Sequence, residues 1–173
     1  LQSGYAFKWG KGGSNNSATG YNFRKLVDPA YITYNQYVGG QPFPLIRYAE
    51  VLLTYAEAQN EASGPDASVY AAIDSVRSRV GMPNVDPTVY NSQASLRSLI
   101  QNERRIELAQ EGLRYFDIRR WGIAASVMKT TYDQTNSIAQ TRVWQSNFVL
   151  LPYPQTAVDR NSQLQTAQTA KGY

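Results

Sequence analysis

The run Phe43-Pro44-Leu45-Ile46-Arg47-Tyr48-Ala49-Glu50-Val51-Leu52-Leu53-Thr54-Tyr55-Ala56-Glu57-Ala58 decides the fold. Leu45, Ala49, Leu52, Leu53, Ala56 and, just beyond the run, Asn60 recur at steps of three and four residues, so on a helix they share one face. Tyr48-Ala49-Glu50 returns seven residues later as Tyr55-Ala56-Glu57, and the small Ala49 and Ala56 let a second helix come close between the tyrosines. Pro42 and Pro44 stiffen the approach, proline being tolerated in a helix's first turn. The pattern predicts a helix over about 44–62. Gly64-Pro65 stops it, and Asp66 is placed to cap the next one.

Toward the carboxy terminus a second helix is predicted over about 67–80. Val69, Ile73, Val76 and Val80 make its apolar stripe, Arg77 and Arg79 turn toward solvent or partners, and Gly81 and Pro83 close it. So short a link forces the two helices antiparallel, a hairpin of about tetratricopeptide length. A third helix is expected over about 93–111, burying Leu96, Leu99, Ile100, Ile106 and Leu108. Gly112 breaks the pattern, and a fourth helix over about 113–128 presents Leu113, Phe116, Ile118, Trp121, Ile123 and Val127. The expected fold is therefore mainly α, with tetratricopeptide-like hairpins wrapped by irregular loops. Each fully buried large apolar side chain contributes ~1.5–3 kcal/mol to such packing.

This divides the chain into a loop-rich segment (1–43), two stacked helical hairpins (44–128) and an irregular segment of the same domain (129–173). In the first, Gly10, Gly12, Gly13, Ser14, Asn15, Asn16 and Ser17 have little to bury, and Tyr5, Phe7, Trp9, Tyr21 and Phe23 can anchor them to a body elsewhere. In the last, 130–141 is polar and loop-like. Val143-Trp144 and Phe148-Val149-Leu150-Leu151 read as extended pieces folding back on the helices, and 163–173 has weak structural preference.

The composition excludes several kinds of chemistry. Of 173 residues none is Cys or His, which removes thiol nucleophiles, disulfides, imidazole acid/base chemistry and the usual zinc and haem ligands. No metal or cofactor is expected. The net charge of +4 is modest, and the arginines sit among acids, as in Glu103-Arg104-Arg105-Ile106-Glu107. A phosphate-binding face needs cations that their neighbours do not already neutralise, so nucleic acid is not an expected partner. No apolar run reaches the ~18–20 residues of a membrane span. Tyr is abundant, 13 against 5 Phe, which suits a polar, aromatic-rich surface.

Several blocks resemble a known family. The run 43–58 is similar to the central helix signature of SusD/RagB proteins, and Ile73-Asp74-Ser75-Val76-Arg77-Ser78-Arg79-Val80-Gly81 to the segment that follows it. Glu103-Arg104-Arg105-Ile106-Glu107-Leu108, with Glu111-Gly112-Leu113-Arg114-Tyr115-Phe116-Asp117-Ile118-Arg119-Arg120-Trp121-Gly122, resembles a third block. Leu150-Leu151-Pro152-Tyr153-Pro154 resembles a fourth, and Gly20-Tyr21-Asn22-Phe23-Arg24-Lys25 the short motif ahead of the first helix. The blocks stand in the family's order. The resemblance implies the carboxy-terminal portion of a surface-exposed outer-membrane lipoprotein of the Bacteroidetes. Such a protein captures oligosaccharide, occasionally peptide, without a chemical step and passes it to a SusC-like TonB-dependent transporter. It implies a lipid anchor upstream that this chain lacks. An interaction scaffold of helical hairpins that never touches nutrient is the alternative.

Glu103, Glu107 and Glu111 are spaced by four and share a helix face, so a glycosidase pair or carboxylate metal ligands can be imagined there. One face lacks the opposed geometry that hydrolysis needs, and pairing with Arg47, Arg77, Arg104, Arg105, Arg114 or Arg119 is the expectation instead. No catalytic residue is therefore assigned. Trp121, Tyr115 and Trp144 are expected in the core. Trp9 and Tyr5, flanking the Asn-rich loop, are the candidates for stacking on a sugar ring.

Overall fold

A computed structural model describes residues 17–21, 23–26 and 42–173. The fold is mainly helical, as expected, and divides into two compact units, Lys25–Tyr115 and Leu1–Arg24 with Phe116–Tyr173. Among the described residues no helix is long and apolar enough to cross a membrane.

In the first unit α1 (Tyr48–Ser63) packs against both α2 (Ala67–Ser78) and α3 (Gln93–Glu107). The core joins Ala56 of α1, Val69, Ala72 and Ile73 of α2, Val85 of the following loop, and Leu96, Leu99 and Ile100 of α3. Leu52, Tyr70 and Tyr90 close over it. Most of these residues belong to the stripes read from the sequence, which is why the three helices find one another. Asp66 caps α2 as expected, its carboxylate accepting from the backbone N–H of Ser68 at 2.7 Å and of Val69 at 3.1 Å. Ser92 and Ser95 form a reciprocal capping box on α3. The connecting loop is tied down by Val85 N–H donating to Asp74 at 2.7 Å and by the Tyr70 hydroxyl donating to the Tyr90 carbonyl at 2.6 Å. A pair of amides stitches α1 to the start of α3. Asn60 Nδ2 donates to the Gln93 carbonyl at 3.0 Å, and Gln93 Nε2 donates to the Asn60 carbonyl at 2.8 Å.

The helix ends depart from the sequence pattern. α1 begins at Tyr48 rather than near 44, because Arg47 is extended (φ -125, ψ 151) and serves as its N-cap. Leu45, 86% exposed, therefore does not join the core face. α3 stops at Glu107 rather than 111, and Gln110 in the following turn takes φ 66. Ile106 and Val80, both expected in the core, are exposed. In their place Glu103 and Arg104 are buried, which their ion pairs make affordable. Gly81 closes α2 as read, with Met82 N–H reaching back to the Arg77 carbonyl at 3.1 Å.

The predicted fourth helix is two pieces, α4 (Arg114–Arg120) and α5 (Ala124–Val127). Gly122, at φ 67, ends α4 in a Schellman turn: Ile123 N–H donates to the Ile118 carbonyl and Gly122 N–H to the Arg119 carbonyl, both at 3.0 Å. The apolar period runs on through Trp121-Gly122, but the backbone turns there. Phe116 is consequently exposed while Ile118 and Ala124 are buried.

Residues 130–141, read as a loop, form an antiparallel pair, β1 (Thr131–Tyr132) with β2 (Ile138–Gln140). Asp133 organises the turn by accepting from the N–H groups of Thr135 at 2.8 Å and Ser137 at 2.9 Å. Gln134 N–H also donates to the Thr19 carbonyl at 3.1 Å. A short 3-10 helix, Ser146–Val149, replaces part of the expected extended piece, and α6 (Gln155–Arg160) and α7 (Gln163–Ala170) occupy the polar tail.

Two outcomes follow for stability. A Cβ at Gly122 meets nothing within 4 Å, so Gly122→Ala is penalised by its left-handed backbone alone. Denaturant unfolding should show a loss of about 1 kcal/mol. Asp66 is held at a pKa of about 2 by the Ser68 hydroxyl, by Gln59 and by the helix N–H groups. A carboxyl depressed in the folded state stabilises fully above its unfolded pKa of ~3.9 and loses that contribution as pH falls toward the folded value. Thermal unfolding of Asp66→Asn followed from pH 6 to 2 should therefore show a shallower acid-side decline than the parent chain.

Candidate functional site

The glutamate row that could have been a catalytic or metal site lies at the end of α3, where several cations converge on it. Glu103 is bound by Arg77, whose Nε donates at 3.0 Å and whose Nη2 lies at 2.9 Å. Glu107 receives Arg47 Nη1 at 2.8 Å and Arg79 Nη2 at 2.7 Å. Glu111 lies past the helix end yet returns to the same cluster, accepting from Arg47 Nε at 2.9 Å and from the Lys25 ammonium.

The same cations satisfy the carbonyls that a helix end leaves open. Arg47 Nη2 donates to the Glu107 carbonyl at 2.9 Å. Lys25 Nζ donates to the carbonyls of Glu107 at 2.7 Å and Ala109 at 2.9 Å. Positive charge at a helix carboxy terminus is favourable in its own right.

The electrostatics agree with this geometry. The Glu111 side chain is 4% exposed, and burial by itself pushes its carboxyl up. Hydrogen bonds from Arg47 and Lys25, with their charges, outweigh that and hold it below the usual carboxylate range. Arg47 is raised above its ordinary value, first by the hydrogen bond to Glu111, against the cost of burial. A glycosidase acid needs the opposite, a carboxyl raised so that it keeps its proton, facing a second carboxylate across the bond to be broken. All three glutamates lie side by side and are engaged by cations. Among the described residues no group of three or more carboxylates could hold a metal ion.

Of the partners expected for this row, Arg47 and Arg77 are present. Lys25 and Arg79 were missed, since nothing in the local periodicity points from the 20–25 block to the end of α3. Arg104, another partner expected for the row, lies 3.7 Å from Glu57 of α1 and donates to the Thr54 hydroxyl at 3.0 Å.

The aromatic expectations fare differently. Trp9 and Tyr5 lie outside the described residues. Trp121, Tyr115 and Trp144 are not core residues: Tyr115 is exposed, and the two tryptophans are half-buried. The Arg120 guanidinium sits 4.8 Å from the Trp121 ring centre. Trp144 meets Phe148 edge-to-face at 6.0 Å. Both indoles are thus occupied by neighbours on short turns that end before a full helical face can form. A groove of about 580 Å³ lies between residues 145–150 and 170–172, and hydrophobic periodicity gave no sign of it.

Comparison with known proteins gives a consistent result. A model of the SusD family matches residues 7–173. SusD-like protein P2 of Formosa agariphila is 34% identical over 124 residues, which cover 69% of this chain and 24% of that protein. SusD-like protein P25 of the same organism is 33% identical over 110 residues, covering 63% and 19%. The chain thus spans about a quarter or less of the length of these curated relatives.

Among solved structures, a SusD-like protein from Bacteroides fragilis aligns with a TM-score of 0.71 at 32% identity, covering 84% of this chain and 30% of that one. Surface glycan-binding protein A from Bacteroides thetaiotaomicron, in complex with laminarihexaose, aligns with a TM-score of 0.53 at 29% identity, covering 70% and 24%.

Removing one member of a buried ionic cluster leaves the others uncompensated. Arg47→Ala should cost roughly 2–3 kcal/mol in denaturant unfolding, below the ~3–5 kcal/mol of a fully buried pair, because Lys25 and Arg79 remain. Glu111 stabilises the fold above its unfolded pKa of ~4.3, and that contribution disappears as pH falls through its lower folded value. Glu111→Gln should therefore be destabilised at pH 7 and differ little from the parent chain in strong acid.

Proposed function

Because the chain belongs to the SusD family, we propose that it is the helical support of a protein that captures oligosaccharides at the cell surface. It performs no chemical step, and it hands its ligand to a partner TonB-dependent outer-membrane transporter. The setting is the outer membrane, with the protein exposed as a lipid-anchored component. The observation that carries this reading is the family match over residues 7–173. The laminarihexaose complex of a structural neighbour adds the ligand class. The engaged glutamates add that the row at the end of α3 is used for architecture.

An interaction scaffold is the second reading, favoured by the exposed apolar side chains of Leu45, Ile46, Tyr48, Val51 and Tyr55 beside and along α1. Contiguous apolar exposure of this kind is a mark of protein contacts. A pull-down that recovers a TonB-dependent transporter, from a protein that binds no sugar, would favour the scaffold.

Isothermal titration of the full-length protein against a panel of polysaccharides and oligosaccharides should give saturable binding to at least one of them. Failure of every glycan and peptide would remove the capture reading. Incubation with the bound glycan should release no new reducing ends, and Glu107→Gln should leave that result unchanged.

A further inference from the structure

We infer that the groove between the 3-10 helix Ser146–Val149 and the end of α7 is a subsite for a short neutral or acidic oligosaccharide, an inference that rests on the capture reading above. Its volume of about 580 Å³ falls within the ~300–1,000 Å³ of small-molecule clefts.

The walls are fixed from behind. Asn147 Nδ2 donates to the Gly172 carbonyl at 2.8 Å, and the one proton of the Tyr173 hydroxyl is shared between the carbonyls of Asn147, at 2.7 Å, and Leu150. Tyr153 N–H donates to Gln168 Oε1 at 2.8 Å. Gly172, at φ 87, ends α7 in a Schellman turn, with Tyr173 N–H reaching the Gln168 carbonyl at 3.3 Å. These bonds are made within the chain, so little ordering remains to be done when a ligand enters.

What faces the groove is chemically mixed. Val149 and Leu150 are half or more exposed and offer an apolar surface. The side chains of Gln145 and Ser146 make no hydrogen bond among the described residues. Gln145 therefore keeps two amide donors and a carbonyl free, and Ser146 a hydroxyl. Lys171 also lines the groove, positioned by the Tyr153 hydroxyl at 2.9 Å and lying 4.3 Å from the centre of that ring.

A sugar ring presents a C–H face and a rim of hydroxyls, which matches an apolar surface edged by an amide and a hydroxyl. An apolar peptide side chain would bury those polar groups without partners. Among the described residues that line the groove there is an ammonium and no carboxylate side chain, which disfavours a cationic ligand and admits a uronic acid.

The test is amide hydrogen exchange of the full-length protein with and without neutral and uronate-containing oligosaccharides. Exchange should slow over 145–150 and 168–173 with a sugar that the protein binds. The double substitution Gln145→Ala/Ser146→Ala should abolish that protection and weaken binding at this site about tenfold, as expected for two lost hydrogen bonds. Ala170→Trp, at an exposed helix end, should block the groove sterically and abolish the same protection. Measurable glycan binding with no protection there, or with protection that survives both variants, overturns the subsite and leaves the capture reading standing. A wild-type protein that binds no sugar at all overturns both.

Discussion

The guanidinium of Arg47 is the point on which the unit Lys25–Tyr115 turns. It stands at the N-cap of α1 and grips two carboxylates and a carbonyl at the end of α3. The opening of one helix and the closing of another are thereby fixed to each other. Planar forked donors suit this task better than a flexible ammonium could. With Lys25 and Arg79 the cluster neutralises a helix end that would otherwise present open carbonyls beside two negative side chains. The apolar core supplies most of the favourable energy, and the ionic cluster decides where its helices begin and end.

That division of labour bears on function. Hydrolysis requires carboxylates held apart, with their protonation divided between them, whereas Glu103, Glu107 and Glu111 are each committed to a cation. The proposed capture role asks for something different: a stiff frame and surfaces with spare hydrogen-bonding capacity. The frame is the set of three helices around Ala56, Ile73 and Leu96. Spare capacity is found where Gln145 and Ser146 stand beside Val149 and Leu150, on short turns that the chain's own bonds hold in place.

The helices that build the frame were legible because their stripes are long and regular. Leu53, Ala56, Val69, Ile73, Leu96 and Ile100 fall on the predicted faces and are buried. The cap at Asp66 and the stop at Gly81 were equally readable, since each has a local chemical cause. Less legible were features set by distant partners. Ile106 carries the right period but faces water, while Glu103 and Arg104 are buried through ion pairs with Arg77 and Glu57. The break at Gly122 was hidden by apolar residues on both sides of it. The hairpin at 131–140 depends on Asp133 organising a turn, a signal that a polar stretch conceals. The groove joins two segments twenty residues apart, 145–150 and 170–172, and has no periodicity at all.

The reciprocal amides of Asn60 and Gln93 have a consequence for how such a chain can change over time. Each side chain reads the other's main-chain oxygen, a group that every residue type possesses. Neither position therefore requires a particular partner to survive, and either can drift without a compensating substitution opposite. Such a joint carries architecture through the backbone and leaves the letters at its two ends free of each other.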